Sequence, residues 1–227
     1  MELSTLLTQP TILEQVCNNL TFEEINELQK ALNYQVLNCQ IRINDPDRQI
    51  KFLSRIDDQI VQIAHLILSL GSTGALIKSI ENKENLKLLL DLGVNVNAID
   101  KYEDTALIMA SKNGYYEVIK ILLEAGANVN AVNDSGNTSL IWASRKGYYE
   151  IVKLLLDNKA DVNAANGVGN TSLIFATIIN HLKIIKLLLE KEADVNAVNR
   201  GGGTALTWAI SNNRPDIIKI LKSYGAR

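Results

Sequence analysis

The sequence predicts an all-α protein whose C-terminal part is a repeat solenoid. Four segments of 33 residues, 95–127, 128–160, 161–193 and 194–226, align without a gap, and each contains Val-Asn-Ala near its start. About ten residues later each has Thr-x-Leu, and each closes on an aliphatic run. Self-similarity at such a period is typical of stacked supersecondary units. Aromatic residues make up only 5% of the chain, which favours helices over a β-sandwich.

Each repeat predicts two short helices. Thr105 before an apolar run is a helix N-cap signal, and Leu107 and Ala110 give the first helix an apolar face. Gly114 is placed to end that helix, and residues 117–123 supply a second apolar helix. Neither helix can bury its apolar face alone, so the repeats must stack on one another.

The array has distinctive ends. Residues 75–77 and 85–90 lie one period before their counterparts and predict a half-repeat. The last repeat has Lys222 where the others have leucine, namely Leu123, Leu156 and Leu189. A polar residue on the outermost helix is typical of a terminal cap, so we expect the array to end at the C-terminus.

These repeats resemble the ankyrin family, whose pattern is D-x-x-G-x-T-P-L-H-x-A-A-x-x-G-H-x-E-V-V-K-L-L-L-x-x-G-A. The resemblance covers about 150 residues and implies a non-catalytic module that binds a partner protein on its concave surface. The chain departs from the pattern at two positions in every repeat. The proline is replaced by Ala106, Ser139, Ser172 and Ala205, and the histidine by Ile108, Ile141, Ile174 and Thr207. In the family that histidine helps to tie neighbouring repeats together, so its loss puts this polar network in doubt.

Residues 1–70 contain no copy of the 33-residue repeat, and their pattern predicts a small N-terminal helical domain. Residues 71–227 are then expected to form the ankyrin-repeat domain. Thr21 and Glu24 have the spacing of a capping box, and Pro46 suits the first turn of a new helix. Three or four amphipathic helices are expected to pack together here.

Part of this segment resembles an F-box. The residues that carry the resemblance are Pro10, Ile12, Leu13, Val16, Leu20, Ile25 and Leu28. An F-box implies binding of Skp1, the adaptor of a ubiquitin ligase, with the repeats capturing a substrate, as in effectors that intracellular bacteria or viruses place in host cells. The alternative is a plain helical cap, because any amphipathic helix pair opened by a proline gives a similar pattern.

Other function classes find little support in the residues. A net charge of −2 provides no basic excess for nucleic-acid binding. Two cysteines and two histidines show neither metal-ligand spacing nor a nucleophilic triad, so we expect no cofactor, no metal and no enzyme activity. The segment 201–203 reads as a loop between repeats, since no Lys-Ser/Thr follows to complete a phosphate loop.

The chain carries no secretory signal pattern, and its most apolar stretch, residues 60–70, is too short to span a bilayer. We therefore expect a cytoplasmic monomer. Delivery into a host cell by a route that needs no cleaved signal is the alternative.

The resemblance also indicates where a partner would bind. Family members use the loop tips and the exposed end of the first helix in successive repeats. The matching positions are Lys101, Tyr102, Asp104, Lys112 and Asn113, then Asp134, Ser135, Asn137, Arg145 and Lys146, then Val168, Asn170, Ile178 and Ile179, and finally Arg200, Ser211 and Asn212.

Within this set Ile178 and Ile179 are the sharpest candidates, because the other repeats have polar pairs there. Together with Val168 they predict an apolar anchor, with Arg145 and Lys146 steering an acidic partner. A second periodic row is interpreted instead as a stacked column of core side chains, and it consists of Met109, Trp142, Phe175 and Trp208. Two tyrosine pairs, 115–116 and 148–149, are expected to pack at the turn between the helices.

Overall fold

The computed structural model describes residues 75–91 and 94–227. The N-terminal helical domain and the F-box-like residues predicted above lie outside this part of the chain. By its internal contacts the chain divides into two compact units, Met1–Ala98 and Ile99–Arg227.

The described part of the first unit is helical. Residues 75–78 are helical and continue into a 3-10 turn, Ser79–Glu81, and an α-helix follows over Lys83–Asp91. The side-chain oxygen of Asn82 accepts the backbone N–H groups of the second and third residues of that helix at 3.1 Å each, as an N-cap does. The two helical segments lie where the half-repeat was expected, and this prediction is confirmed.

The second unit consists of four helix pairs, one pair in each repeat. The first helix of each pair, which we call the inner helix, spans Ala106–Asn113, Ser139–Lys146, Ser172–Ile178 and Ala205–Ser211. The second, which we call the outer helix, spans Tyr116–Glu124, Tyr149–Asp157, Leu182–Glu190 and Pro215–Ser223.

Every inner helix begins at a threonine cap. The hydroxyl oxygens of Thr105, Thr138, Thr171 and Thr204 each accept the backbone N–H three residues later, over 3.1–3.3 Å. Such caps satisfy a backbone donor that the helix itself leaves unpaired. The N-cap prediction is confirmed in all four repeats.

The helix ends follow from backbone conformation. Gly114 and Gly147 end the first two inner helices with φ of 80° and 81°, in the left-handed region that favours glycine. Asn180 and Asn213 take the same place in the third and fourth repeats, with φ of 67° and 53°. Asparagine tolerates this region better than most residues, so the turn is kept without glycine.

The repeats stack in series through their apolar faces. Each inner helix packs on the inner helix of the next repeat, and the outer helices of the first three repeats do the same. Leucine and isoleucine at equivalent positions, such as Leu140 with Ile141 and Leu173 with Ile174, are at most 1% exposed. Burying each such side chain stabilises the fold by about 1.5–3 kcal/mol.

Short hairpins connect the repeats. Each of the first three is closed by one antiparallel bridge, Ile99 with Thr105, Val132 with Thr138, and Ala165 with Thr171. Adjacent hairpins are joined by one backbone hydrogen bond each. The Asp134, Gly167 and Arg200 N–H groups donate to the carbonyls of Tyr102, Ser135 and Val168 at 3.1, 2.9 and 3.0 Å.

A row of asparagine amides ties the hairpins of neighbouring repeats together. The side-chain oxygen of Asn166 accepts the N–H groups of Val168 and Asn170, while its Nδ2 donates to Oδ1 of Asn137 in the previous repeat at 3.0 Å. Asn133 and Asn199 repeat this arrangement, donating to Asp104 and Asn170 at 2.8 Å each. We call these three residues and their acceptors the amide ladder. It joins the repeats by polar contacts although the family's histidine is absent.

The outermost repeat differs as its sequence suggests. Leu221 is fully buried, whereas Lys222 is exposed at the position where Leu156 and Leu189 are buried in the preceding repeats. Thr204 and Thr207 also bond reciprocally as a capping box at the start of the last inner helix. Among residues 75–91 and 94–227, no helix is long and apolar enough to cross a membrane.

Candidate functional site

The exposed sides of the inner helices and the hairpin tips form one surface in the second unit, which we call the inner-helix face. Contacts join its two components. Lys112 of the first inner helix pairs with Asp104 of its hairpin at 2.8 Å. In the fourth repeat Nε1 of Trp208 approaches the hairpin so closely that a side-chain carbon on Gly203 would lie 2.9 Å from it.

Most residues expected on this surface are indeed exposed. They are Lys101, Tyr102, Asn113, Asp134, Ser135, Arg145, Lys146, Val168, Ile179, Arg200, Ser211 and Asn212. Four other predicted residues are half-buried, namely Lys112, Asn137, Asn170 and Ile178. The face is therefore accessible along all four repeats.

Asp104 corrects the sequence prediction. It was placed at an exposed loop tip, yet it is only 2% exposed. One carboxylate oxygen accepts from the Lys112 ammonium and the other from Nδ2 of Asn133, both at 2.8 Å. Because both oxygens are engaged and covered, Asp104 holds the first and second repeats together instead of meeting a partner.

Asn137 and Asn170 are corrected in the same way. Both are predicted as partner contacts at the loop tips, but each is half-buried and accepts a hydrogen bond from the asparagine 29 residues further along the chain. Their side-chain oxygens belong to the amide ladder, and half-burial follows from that contact.

The apolar anchor predicted in the third repeat is smaller than its sequence suggests. Ile179 is 47% exposed and Val168 is 53% exposed, whereas Ile178 is half-buried. Ile178 is the last residue of the inner helix and Ile179 is its C-cap. Adjacent residues of a helix project about 100° apart, which agrees with their different burial. The exposed apolar surface of this repeat is provided by Ile179 and Val168.

The aromatic row is not a core column, which is a further correction to the sequence prediction. Met109, Trp142, Phe175 and Trp208 are all half-buried, on the side of the inner helices that faces the hairpins. Cations lie against two of the rings. The Lys112 ammonium lies 4.8 Å from the centre of the Trp142 ring, and the Arg145 guanidinium lies 5.3 Å from it. The same guanidinium lies 5.4 Å from the centre of the Phe175 ring.

These distances are those of cation–π contacts, which are worth about 0.5–1 kcal/mol at exposed sites. They join three repeats, since Lys112, Trp142 and Phe175 belong to the first, second and third. The Trp142–Arg145 contact runs between residues three apart on one helix, which share a face. We call Lys112, Trp142, Arg145 and Phe175 the cation–aromatic cluster.

Charge is distributed unevenly between the two layers of helices. The inner helices carry three cations, Lys112, Arg145 and Lys146, and no acidic residue. The outer helices carry six acidic and six basic residues and are balanced. In the part of the chain that the structure describes, Lys112 is paired with Asp104, while Arg145 and Lys146 form no ion pair. The exposed cations therefore give the inner helices a positive potential, whereas the hairpin tips carry exposed residues of both signs, namely Lys101, Glu103, Asp134 and Arg200.

The tyrosine pairs lie near the helix turns, as expected. The ring of Tyr148 packs directly on Gly114, where a side-chain carbon would approach it to 2.9 Å. Tyr116, Tyr148 and Tyr149 line a shallow groove of about 380 Å³ together with Glu150 and Ile151. One repeat further along, the His181 ring packs on Gly147 in the same way.

The described ranges were also searched for clusters of metal-ligating side chains. Residues 75–91 and 94–227 contain no group of three or more His, Cys, Asp or Glu side chains that could hold a metal ion. The glycines at 201–203 form a turn closed by the Gly203 N–H on the Asn199 side chain at 2.8 Å. They belong to the hairpin, as the sequence indicates.

Comparison with known families decides the identity of the repeats. The model of ankyrin repeats (three copies) matches residues 75–166 and 165–227, about two-thirds of the chain. The chain belongs to the ankyrin-repeat family. The all-α ankyrin solenoid predicted from the sequence is thereby confirmed, and ankyrin repeats are protein-interaction modules. A search of the curated proteins finds no significant match.

Sequence reasoning missed Trp142 and Phe175 as residues of this ankyrin surface. Their 33-residue spacing predicts a stacked column of core side chains, but side chains that form a row along the surface have the same spacing. The signal that could have found them is the i, i+3 spacing of Trp142 with Arg145 and of Phe175 with Ile178. Residues so spaced share a helix face, and one member of each pair was already assigned to the surface.

Proposed function

We propose that this ankyrin-repeat protein is a non-catalytic binding module that takes a partner protein on its inner-helix face. The observation that carries the proposal is the pair of exposed apolar side chains of the third repeat, Ile179 and Val168, in the same repeat as Phe175 of the cation–aromatic cluster. Exposed apolar groups beside aromatic and arginine side chains are the composition of protein-interaction hot spots.

Variation between repeats supports the same conclusion. The buried positions repeat almost unchanged, whereas the helix-end pair is Lys-Asn, Arg-Lys, Ile-Ile and Ser-Asn in the four repeats. Stacking fixes the core residues because each must fit the next repeat, and it leaves the surface free to match a partner. In this proposal the protein acts in the cytoplasm as a monomer.

Substitution of Ile179 tests the proposal. The tagged full chain is used to capture proteins from a eukaryotic lysate, with Ile179→Ser and Tyr116→Ser as matched variants. Both replaced side chains are exposed and apolar, but Tyr116 lies on an outer helix. We expect to find a protein that wild type and Tyr116→Ser capture in equal amounts. Ile179→Ser should bind this protein about tenfold more weakly, because hot-spot truncations cost more than about 1 kcal/mol.

Equal capture by all three forms would contradict the proposal for this face, provided that circular dichroism shows the same helix content for each. Binding of the captured protein is then measured with purified components. Loss by Tyr116→Ser alone would place the contact on the outer helices.

The alternative proposal is an F-box-like adaptor that links a bound substrate to a ubiquitin ligase, in the manner of an effector delivered into a host cell. It is supported by the sequence pattern between Pro10 and Leu28. The discriminating measurement is binding of purified Skp1 to the full chain. Micromolar or tighter binding that Leu13→Asp abolishes would favour the adaptor, and absence of binding would leave the plain binding module.

A further inference from the structure

We propose that the partner segment bound by the inner-helix face is acidic, with one carboxylate held by Arg145 and a neighbouring apolar side chain resting on Ile179. This inference rests on the proposed function and names the chemistry of the partner. It is derived from the geometry of the cation–aromatic cluster and from the charge around it.

The Arg145 side chain is held in place before any partner arrives. Its guanidinium lies against two aromatic rings, 5.3 Å from the centre of Trp142 and 5.4 Å from that of Phe175. An arginine that contacts ring faces loses rotamer freedom, while the N–H groups at its edge stay available. Less conformational entropy is therefore lost when a ligand binds.

Those N–H groups lack an acidic partner within residues 75–91 and 94–227, although Arg145 is exposed. The planar fork of a guanidinium matches a carboxylate in a bidentate pair, which is stronger than a bond between neutral groups. The Arg145 guanidinium is thus a preorganised hydrogen-bond donor for a carboxylate.

The surroundings reinforce this preference. Lys112 and Arg145 lie against the same Trp142 ring, and Lys146 follows Arg145 in sequence. Asp104 balances Lys112 and is buried, so it does not compete for Arg145. Because the inner helices carry no acidic residue, a basic ligand that contacts them near Arg145 would meet like charge.

The apolar neighbour limits the ligand further. Ile179 is 47% exposed and is the C-cap of the helix that contains Phe175, and its N–H donates to the Phe175 carbonyl four residues earlier. Residues four apart share a helix face, so a ligand that reaches the Arg145–Phe175 contact passes close to Ile179. The matching segment carries Asp or Glu next to a Leu, Ile or Phe.

Nucleic acid fits this surface less well than an acidic peptide does. Single strands bind by stacking bases on accessible aromatic faces, but Trp142 and Phe175 are half-buried and already have cations against them. Phosphate backbones also need a line of several cations, and the inner helices offer three.

The probe for this inference is a library of random twelve-residue peptides displayed on phage and selected on the full-length protein. We expect the selected peptides to contain two or more acidic residues beside a bulky apolar one. Synthetic copies are then titrated by fluorescence anisotropy against wild type and three variants, Arg145→Gln, Arg145→Lys and Lys153→Gln.

Arg145→Gln should weaken binding by about ten- to a hundredfold, the effect of losing a hydrogen bond to a charged group. Arg145→Lys keeps the charge but loses the planar fork, so we expect an intermediate loss of affinity if Arg145 holds the carboxylate. An almost unchanged affinity would show that Arg145 only attracts the acidic ligand at long range, which contradicts the inference. Lys153→Gln makes the same charge change on an outer helix of the same repeat and should leave the affinity unchanged. Unchanged thermal midpoints show that every variant is folded.

Selection of neutral or basic peptides, or equal affinity of Arg145→Gln for acidic ones, would overturn the inference. If such peptides still depend on Ile179, the proposed function survives while the acidic partner does not. If the library yields no peptide that Ile179→Ser weakens, both proposals fail for this face.

Discussion

At the scale of single residues, burial decides what a charged side chain does in this protein. Asp104 and Asp157 both pair with a lysine, at 2.8 and 3.0 Å. The Asp104 side chain is 3% exposed and also accepts from Asn133, whereas the Asp157 side chain is 50% exposed and faces Lys191 in solvent. Removing one partner of a buried pair leaves the remaining polar groups desolvated and unpaired. In an exposed pair, water takes the place of the partner that is removed.

Asp104→Ala should therefore destabilise the fold much more than Asp157→Ala. We expect the free energy of unfolding to fall by about 2–3 kcal/mol in the first case, because Asn133 loses its acceptor and Lys112 stays only 30% exposed. The second should cost less than about 1 kcal/mol. Urea unfolding followed by circular dichroism measures both, and equal losses would show that Asp104 is not a structural residue.

At the scale of the helices, backbone conformation at the turns is more uniform than the sequence. Three turn positions adopt positive φ in each of the four repeats. Glycine occupies seven of these positions, and Glu103, Lys159, Asn180, Glu192 and Asn213 occupy the other five. A side-chain carbon costs roughly 1–2 kcal/mol in this region, so these five turns are kept by the stacked helices on either side.

Glycine at two of these turns should raise stability. Lys159 and Glu192 have φ of 69° and 66°, and their counterparts Gly126 and Gly225 have open space around the site of a side-chain carbon. Lys159→Gly and Glu192→Gly relieve the strain but add entropy to the unfolded chain, which leaves a gain of about 0.5–1 kcal/mol each.

The reverse substitution, Gly126→Lys, is the matched control and should lower stability by a similar amount. Differential scanning calorimetry measures all three as shifts of the midpoint. A lower midpoint for both glycine variants would show that the two side chains make stabilising contacts that outweigh the strain.

At the scale of the whole molecule, the repeats of the second unit depend on contacts with their nearest neighbours. Neighbouring repeats meet through apolar helix faces, one backbone hydrogen bond between hairpins, one rung of the amide ladder, and further polar contacts such as the Asp157–Lys191 pair and the bond from the Asp194 N–H to Asn163. In such arrays stability is a sum of intrinsic and nearest-neighbour terms, so weakening one interface lowers cooperativity.

Asn166→Asp tests the ladder because it removes only the donor. The side-chain oxygen that accepts from Val168 and Asn170 is kept, while the bond to Asn137 is lost and two acceptor oxygens come together. We expect a loss of about 1–2 kcal/mol and a lower dependence of the unfolding free energy on urea, since the repeats on either side then unfold less cooperatively.

Asn163→Asp is the control in the same repeat. It makes the same charge change and keeps the one hydrogen bond described for this side chain, from the Asp194 N–H at 2.7 Å. Its effect should stay within about 0.5 kcal/mol. Equal effects of the two variants would assign the loss to charge and not to the ladder.

The sequence by itself determined the helices, their caps, the half-repeat and the ankyrin solenoid. These features depend on residues within one turn or one period, such as Thr138 before its apolar run and Gly147 after it, and therefore show directly in the pattern. It also indicated the exposed row that contains Arg145 and Ile179.

Only the tertiary structure decided which of those surface residues are free. In the sequence Asp104, Asn137 and Asn170 cannot be distinguished from other polar loop-tip residues. In the structure each accepts a hydrogen bond from an asparagine 29 residues away. Trp142 and Phe175 likewise became part of the candidate site because Lys112 and Arg145 reach them from adjacent turns and repeats. Such contacts depend on how one repeat is positioned on the next, and no single repeat contains that information.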